Sequence, residues 1–303
     1  MFFVFPSILI AYSDHGLSDY YGLCSGLVQN VEYLQPISAL ILEARPISRV
    51  ISQFKEFAMG RSVTFLYGIS AYVIFLVTFL YSIGFVGNIL VPKSIDSGVQ
   101  GAVATSIIIN LALLSAFALQ HSIMARPAFK RLWTKIIPKA AERSTYILMT
   151  CAALILIFVF WQPLATPVWD VGNTAFGTVL TVLFGIGWLV VLTSTFMIDH
   201  FDLFGLKQIY ANLKNRNATH PGFLKVGLYR LVRHPIMTGF LIAFWAAPTM
   251  SVGHLLFALV TTGYIVIAVL HLEEKDLIAE IGNDYRAYQR EVPAFVPGLG
   301  RGR

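Results

Sequence analysis

From residue 62 onward the chain alternates long apolar runs with short polar loops. Apolar runs cover Ser62–Val86, Gly101–Met124, Ser144–Trp161 and Ala175–Ile198. Each approaches or exceeds the roughly 20 residues that cross a hydrocarbon core of about 30 Å. The pattern predicts four transmembrane helices. A fifth run, Ile236–Leu272, is broken near its middle by Pro248, Ser251 and Gly253. Its first limb, Ile236–Ala247, is too short to cross without thinning the bilayer. A break at proline and glycine predicts a helical hairpin that dips in and returns. Helical polar residues follow it to the C-terminus. The expected fold is all-α: a polytopic membrane protein with four spans, a C-terminal hairpin and a cytoplasmic C-terminal helix.

The first 58 residues do not continue this pattern. MFFVFPSILIAY is apolar but about 12 residues long, short of a span. Asp14, His15 and Asp19 follow it. Met59-Gly60-Arg61 leads directly into the first strong span. Residues 1–58 are therefore expected to be a poorly ordered or spurious extension, with translation starting at Met59. Residues 59–303 are expected to form the functional membrane domain.

Composition agrees with a membrane class. The 303 residues are 56% hydrophobic and only 13% charged, against roughly 25% charged in soluble domains. The net charge of +6 does not indicate nucleic acid, because the basic residues lie in short loops. One loop holds Arg126, Lys130, Arg131, Lys135, Lys139 and Arg143. Another holds Lys207, Lys214, Arg216, Lys225, Arg230 and Arg233. The loop from Gln162 to Gly172 has no Lys or Arg, and that from Gly87 to Gln100 has only Lys93. Basic loops face the cytoplasm, so both termini are expected there. Cys24 and Cys151 are far apart, and no disulfide framework is expected.

Two clusters on the cytoplasmic side carry candidate chemistry. Arg230, Arg233 and His234 gather just before Pro235, which suits the first turn of a helix. Guanidinium groups and helix N-termini both favour anions. A plain positive-inside anchor accounts for Arg230 better than for the pair Arg233-His234. After the hairpin comes His271-Leu-Glu273-Glu274-Lys275-Asp276. Acids at a membrane exit are functional or paired. Glu273 and Glu274 point about 100° apart on a helix, so they should serve different ends. One suits Arg233 across the hairpin, the other a ligand's hydroxyl or ammonium. A basic entrance beside an acidic exit suits a zwitterionic ligand.

Arg233-His234-Pro235-x-x-x-Gly239, then Glu273-Glu274, then Tyr285-x-x-Tyr288 and Val292-Pro293-x-Phe295-x-Pro297 resembles the integral-membrane isoprenylcysteine carboxyl methyltransferase-like superfamily. Three further stretches are similar to the bacterial methanethiol S-methyltransferase family. They are Val91 to Gly98, Leu119-Gln120-His121-Ser122 through Arg126, and Asp199-His200-Phe201-Asp202 through Leu206. The resemblance implies S-adenosyl-L-methionine as cofactor, held by Tyr229, Arg233, His234, Pro235, Gly239, Glu273, Glu274, Tyr285 and Tyr288. It implies methanethiol as substrate and dimethyl sulfide as product. His121, His200 and Asp202 are then the candidate catalytic residues, lying near the cytoplasmic ends of their spans. A thiolate is the nucleophile, so a base or a positive field beside the thiol would serve the reaction. Aromatics such as Phe201, Phe204 and Trp245 would suit a dry pocket. The bland alternatives stay open: His121 bonding a neighbouring helix, Asp202 as a cap or partner of Lys207. No His or Cys spacing supports a metal site. Two other functions stay open, a methyltransferase acting on a lipid or isoprenylcysteine and a non-catalytic membrane protein of the same topology. Arg233→Ala and Glu274→Gln are expected to weaken cofactor binding with expression near normal.

Overall fold

The computed structural model describes residues 60–218 and 225–299. The expected extension over residues 1–58 lies outside the described residues. Long helices dominate: α1 (Arg61–Gly87), α2 (Val103–Ala125), α4 (Glu142–Phe160) and α5 (Ala175–Ile198). Short helices α3 (Pro127–Trp133), α6 (His200–Leu203) and α7 (Leu206–Leu213) fill the basic loops. The fifth apolar run folds as α8 (Pro235–Trp245) followed by α9 (Val252–Ala268). A π-helical turn, Val269–Glu273, carries α9 into α10 (Glu274–Ile281), and α11 (Asn283–Glu291) closes the chain.

Among the described residues five helices are long and apolar enough to cross a membrane: α1, α2, Lys139–Phe160, α5 and Val252–Ile281. Pro235–Trp245 is shorter than a span, whereas the helical segment Val252–Ile281 that follows it runs 30 residues and is itself long enough to cross. Leu66, Val77, Leu80, Ile108, Val182 and Leu189 point outward and are exposed. An apolar exterior of this extent is wetted by lipid, not water. The protein is a mostly helical, multi-pass membrane protein.

Local signals set the ends of these helices. The Thr174 hydroxyl accepts from the Gly177 N–H at 3.1 Å and starts α5. Asp199 ends it in the left-handed region, at φ 102°, and its carboxylate then caps α6 by accepting from the Asp202 N–H. Ser251 caps α9 by accepting from the His254 N–H at 3.0 Å. Each cap satisfies a backbone donor that the helix itself leaves orphaned.

One departure from an all-α reading is a two-stranded pair. β1 (Pro167–Asp170) lies between α4 and α5 and pairs antiparallel with β2 (Thr249–Ser251), which joins α8 to α9. The Trp169 indole donates to the Ala247 carbonyl at 2.9 Å, and the Thr249 hydroxyl to Asp170 at 2.9 Å. Strands this short carry no periodicity that a sequence could reveal. They form because the packed helices bring two loops together, where backbone groups need partners. The loop between α1 and α2 joins the same end. There the Trp161 indole donates to the Ile95 carbonyl at 3.0 Å, and the Ser251 hydroxyl donates to Asp96. The opposite end holds the basic loops and both candidate clusters. Arg126 reaches Asp276 at 2.8 Å there, tying the α2–α3 corner to α10.

Candidate functional site

α8 begins at Pro235, with its missing N–H at a position that needs no partner. Arg233 and His234 precede it in irregular backbone. Their N–H groups donate to the carbonyls of Pro293 at 2.8 Å and Ala294 at 3.0 Å. The Thr238 hydroxyl donates to the Phe295 carbonyl at 2.8 Å. The C-terminal segment after α11 is thus bound along the entry to α8.

The Arg233 guanidinium lies inside this fold, 6% exposed. Its Nε donates to Glu274 Oε1 at 2.7 Å, and its Nη2 stands 2.6 Å from the same oxygen. Its Nη1 donates to the carbonyls of Gln289 and Val292. Four of its five N–H groups are thereby engaged. Glu274 also meets His234 Nε2 at 3.1 Å and accepts from the Gln289 amide at 2.9 Å.

Glu273 is fully buried and turned away from this pair. His234 Nδ1 stands 3.5 Å from its Oε1. Beyond that contact, neither carboxylate oxygen has a hydrogen-bond partner among the described residues. A buried carboxylate so poorly matched costs several kcal/mol in general, so its acceptors point to a ligand. The π-helical turn ending at Glu273 widens the helix there, a feature common at functional sites. The two adjacent acids meet opposite nitrogens of the His234 ring, Glu273 at Nδ1 and Glu274 at Nε2, and Glu274 alone pairs with Arg233.

The Tyr229, Tyr146, Tyr264 and Tyr285 phenols all lie within electrostatic range of Glu273. Burial pushes Tyr285 well above the ordinary phenol range, and the charges of Glu274 and Glu273 push it further. Tyr229 is raised by burial and by Glu273. The Tyr288 hydroxyl donates to the Tyr229 carbonyl, locking α11 onto the turn before Arg233. Burial alone would lower the His234 pKa; Glu273 and Glu274 outweigh it and hold His234 above its ordinary value.

Arg233, His234, Glu273, Glu274, Tyr229, Tyr285 and Tyr288 therefore come together. Gly239 goes elsewhere. A Cβ there would stand 2.6 Å from the Gly187 carbonyl and 2.8 Å from the Val191 N–H group's nitrogen. It lies in the close crossing of α8 on α5. Gln289 and the carbonyls of Pro293, Ala294 and Phe295 are site members that residue type alone did not reveal, because they act through backbone or through a neutral amide.

The three acceptor-side candidates separate. His121 is fully buried and lines a small cavity with Phe75, Thr78, Phe79, Tyr146, Thr150, Cys151 and Phe204. The Tyr146 hydroxyl is 2.9 Å from its ring nitrogens, and Thr150 Oγ1 is 3.2 Å from Nδ1. Phe117 stacks on the ring at 5.4 Å. His200 stands behind Phe204 and uses both nitrogens, Nε2 on Tyr72 at 2.8 Å and Nδ1 on Thr195 at 2.8 Å. Burial lowers its pKa, and Asp199 offsets part of that. Asp202 is fully buried. It meets Arg143 Nη1 at 2.9 Å and accepts from the Gln208 amide at 2.8 Å. Lys207 pairs instead with Asp199. Of the expected aromatics Phe204 lines the cavity, while Phe201 is exposed and Trp245 donates to Thr262 on an outer face.

Comparison with known proteins bears on this geometry. The family model described as a protein of unknown function (DUF1295) matches residues 94–292. A methanethiol S-methyltransferase of Mycobacterium tuberculosis is 49% identical over 79% of this chain and 98% of its own length. Methanethiol S-methyltransferase 2 of Bradyrhizobium diazoefficiens is 51% identical over 79% of this chain and 92% of its own. Nurim of Rattus norvegicus is 31% identical over 58% of this chain and 70% of its own. No solved structure matches.

Proposed function

The chain belongs to the DUF1295 family and to the methanethiol S-methyltransferase family, and we propose that it methylates methanethiol to dimethyl sulfide with S-adenosyl-L-methionine as donor. The observation that carries this reading is Glu273, a fully buried carboxylate with unmatched oxygens, beside the Arg233–His234–Glu274 cluster. Identity of about half over nearly the whole of the two methanethiol S-methyltransferases supports the same reaction.

The residues present fit the donor. Glu273 offers acceptors for an ammonium or ribose hydroxyls. One Arg233 N–H and the N-terminal end of α8 offer donors for a carboxylate. Tyr229, Tyr285 and Tyr288 wall the site, and Pro235 fixes where α8 starts. When bound, the cofactor supplies a sulfonium methyl that is electrophilic. Methanethiol supplies the sulfur; the new bond forms between that sulfur and the methyl carbon. The bonding pair would be left on the donor's sulfur, and the thiol proton would leave to a base or to water. A small apolar thiol suits the cavity at His121, so His121 is the acceptor-side residue favoured here, with His200 and Asp202 behind it as supports.

The topology read with it has four crossings and a returning hairpin, with both termini and this site on the cytoplasmic side of a bacterial inner membrane. The Lys- and Arg-rich loops at the site's end support that orientation.

Headspace gas chromatography on cells fed methanethiol tests the reading. Dimethyl sulfide from the parent chain, and about tenfold less or lower from Glu273→Gln at equal membrane abundance and limiting S-adenosylmethionine, is expected. No dimethyl sulfide from an abundant parent chain would overturn it and favour a lipid acceptor or a non-catalytic role.

A further inference from the structure

A second, larger apolar cavity lies beyond the one at His121. It is walled largely by aromatics, among them Phe85, Phe117, Trp188, Phe244 and Phe257. Phe79 and Leu154 line both cavities. The Phe79 ring is held between Phe75, with centroids 5.9 Å apart, and Trp188, at 5.4 Å. Along α9 the second cavity is touched by Phe257 and Thr261, while Ser122, the neighbour of His121, bonds Tyr264 at 2.9 Å. Glu273 follows further along the same path. The order is therefore Glu273, then the His121 cavity, then Phe79 and Leu154, then the aromatic chamber.

We infer that Phe79 and Leu154 form a partition that sets how large an acceptor the site takes. The inference rests on the proposed methyltransferase reading and deepens it. The His121 cavity has a hydrogen-bonded cluster of polar groups, His121, Tyr146 and Thr150; Thr78 and the Cys151 thiol also line it, and the remaining walls, Phe79 and Leu154 among them, are apolar. A thiol placed there turns its S–H toward that cluster and its carbon toward Phe79 and Leu154. One carbon fits in front of the partition; a longer alkyl chain collides with it. The space behind is apolar and would accept that chain if the partition were cut back. In this frame His121 takes the thiol proton as the carbon–sulfur bond forms, and Tyr146 positions the His121 ring.

Two readouts test the partition. The first is the product ratio from butanethiol and methanethiol given to the parent chain, Phe79→Ala and Leu154→Ala. Additional buried methylenes are favourable, so the butanethiol-to-methanethiol ratio of kcat/KM should rise about tenfold or more in either variant. Cofactor affinity by calorimetry should stay unchanged. An unaltered ratio with intact cofactor affinity would overturn the partition. The second readout needs no catalysis. Cys151 lines the His121 cavity, so with Cys24→Ser in place, alkyl methanethiosulfonates probe access to it. The Cys151 thiol attacks the reagent, forming a mixed disulfide and releasing methanesulfinate. The methyl reagent should label the parent chain and the butyl reagent should not, whereas Phe79→Ala or Leu154→Ala should admit both. Equal labelling by both reagents in the parent chain would sink the idea. A parent chain that makes no dimethyl sulfide yet shows this labelling pattern would remove the activity and leave the partition standing.

Discussion

Arg233 and Glu274, 41 residues apart in sequence, stand with guanidinium and carboxylate 2.6 Å apart in a nearly closed interior. The same guanidinium holds the carbonyls of Gln289 and Val292. Arg233 is therefore a structural clamp on the C-terminal segment as well as a member of the candidate cluster with His234 and Glu274. Breaking a buried pair by removing one partner costs about 3–5 kcal/mol. Arg233→Ala should lower the melting temperature in detergent and reduce the amount of folded protein, contrary to an expectation of near-normal expression. A variant with unchanged melting temperature would remove the clamp.

Glu273 should behave in the opposite way. Its carboxylate is already under-matched in the fold, so Glu273→Gln should leave stability within about 1 kcal/mol of the parent. Cofactor affinity should fall, because a hydrogen bond to a charged group contributes about 1.5–3 kcal/mol, or on the order of 10- to 100-fold. Calorimetric titration of S-adenosylmethionine, set beside melting curves, checks both halves. A large loss of stability with unchanged affinity would exchange the roles of Glu273 and Glu274.

His234 gives the fold a pH dependence of known sign. Glu273 and Glu274 hold its folded pKa above the ordinary value of 6.5 against the effect of burial. A raised pKa means that the protonated form stabilises the fold. That contribution is fully present below pH 6.5 and is lost as pH rises through the folded pKa. Melting temperature should therefore fall from mildly acidic to mildly alkaline buffer, and His234→Gln should flatten that slope. A slope that survives the substitution would assign it to another group.

Much of this architecture can be read from sequence because the membrane simplifies it. Apolar runs give the helices, and the uneven Lys and Arg loops give the two ends. The Arg233-His234-Pro235 and Glu273-Glu274 segments are legible because charge at a membrane edge is expensive and so informative. Other features depend on packing that no local pattern encodes. β1 and β2 pair only because the helices deliver two loops to one place. Tyr146 and Thr150 lie one turn apart in an apolar run, and nothing in that run announces that they face His121 from another helix. Gly239 follows the Arg-His-Pro segment and reads as part of a binding motif, yet its neighbour is the backbone of α5.

Asp202 offers a test of support against chemistry. Both its oxygens are occupied, by Arg143 and Gln208, and the side chain is fully buried. Asp202→Asn leaves the Arg143 charge without its counterion, so stability should fall by about 3–5 kcal/mol. The fraction that folds should keep its kcat. Normal stability with a collapsed kcat would place Asp202 at the reacting thiol instead.

The contact between α5 and α8 makes a matched pair of glycine predictions. A Cβ on Gly187 would meet the Ala243 backbone nitrogen at 2.6 Å, and one on Gly239 would meet the Gly187 carbonyl at 2.6 Å. Backbone on both sides cannot yield as a flexible side chain would. Close approach of this kind is how helices associate in lipid, where water drives nothing together. Gly187→Ala and Gly239→Ala should each destabilise by about 1–3 kcal/mol or more, as overpacking does. Gly185 lies two residues earlier on the same helix, and a Cβ there meets nothing within 4 Å. Gly185→Ala should stabilise α5, by up to about 1 kcal/mol, because alanine is the better helix former. Melting temperatures of the three variants in one detergent decide the matter. Opposite signs for Gly185 and Gly187 place the α5–α8 contact where the structure has it; equal signs would mean that the two helices do not meet through their glycines.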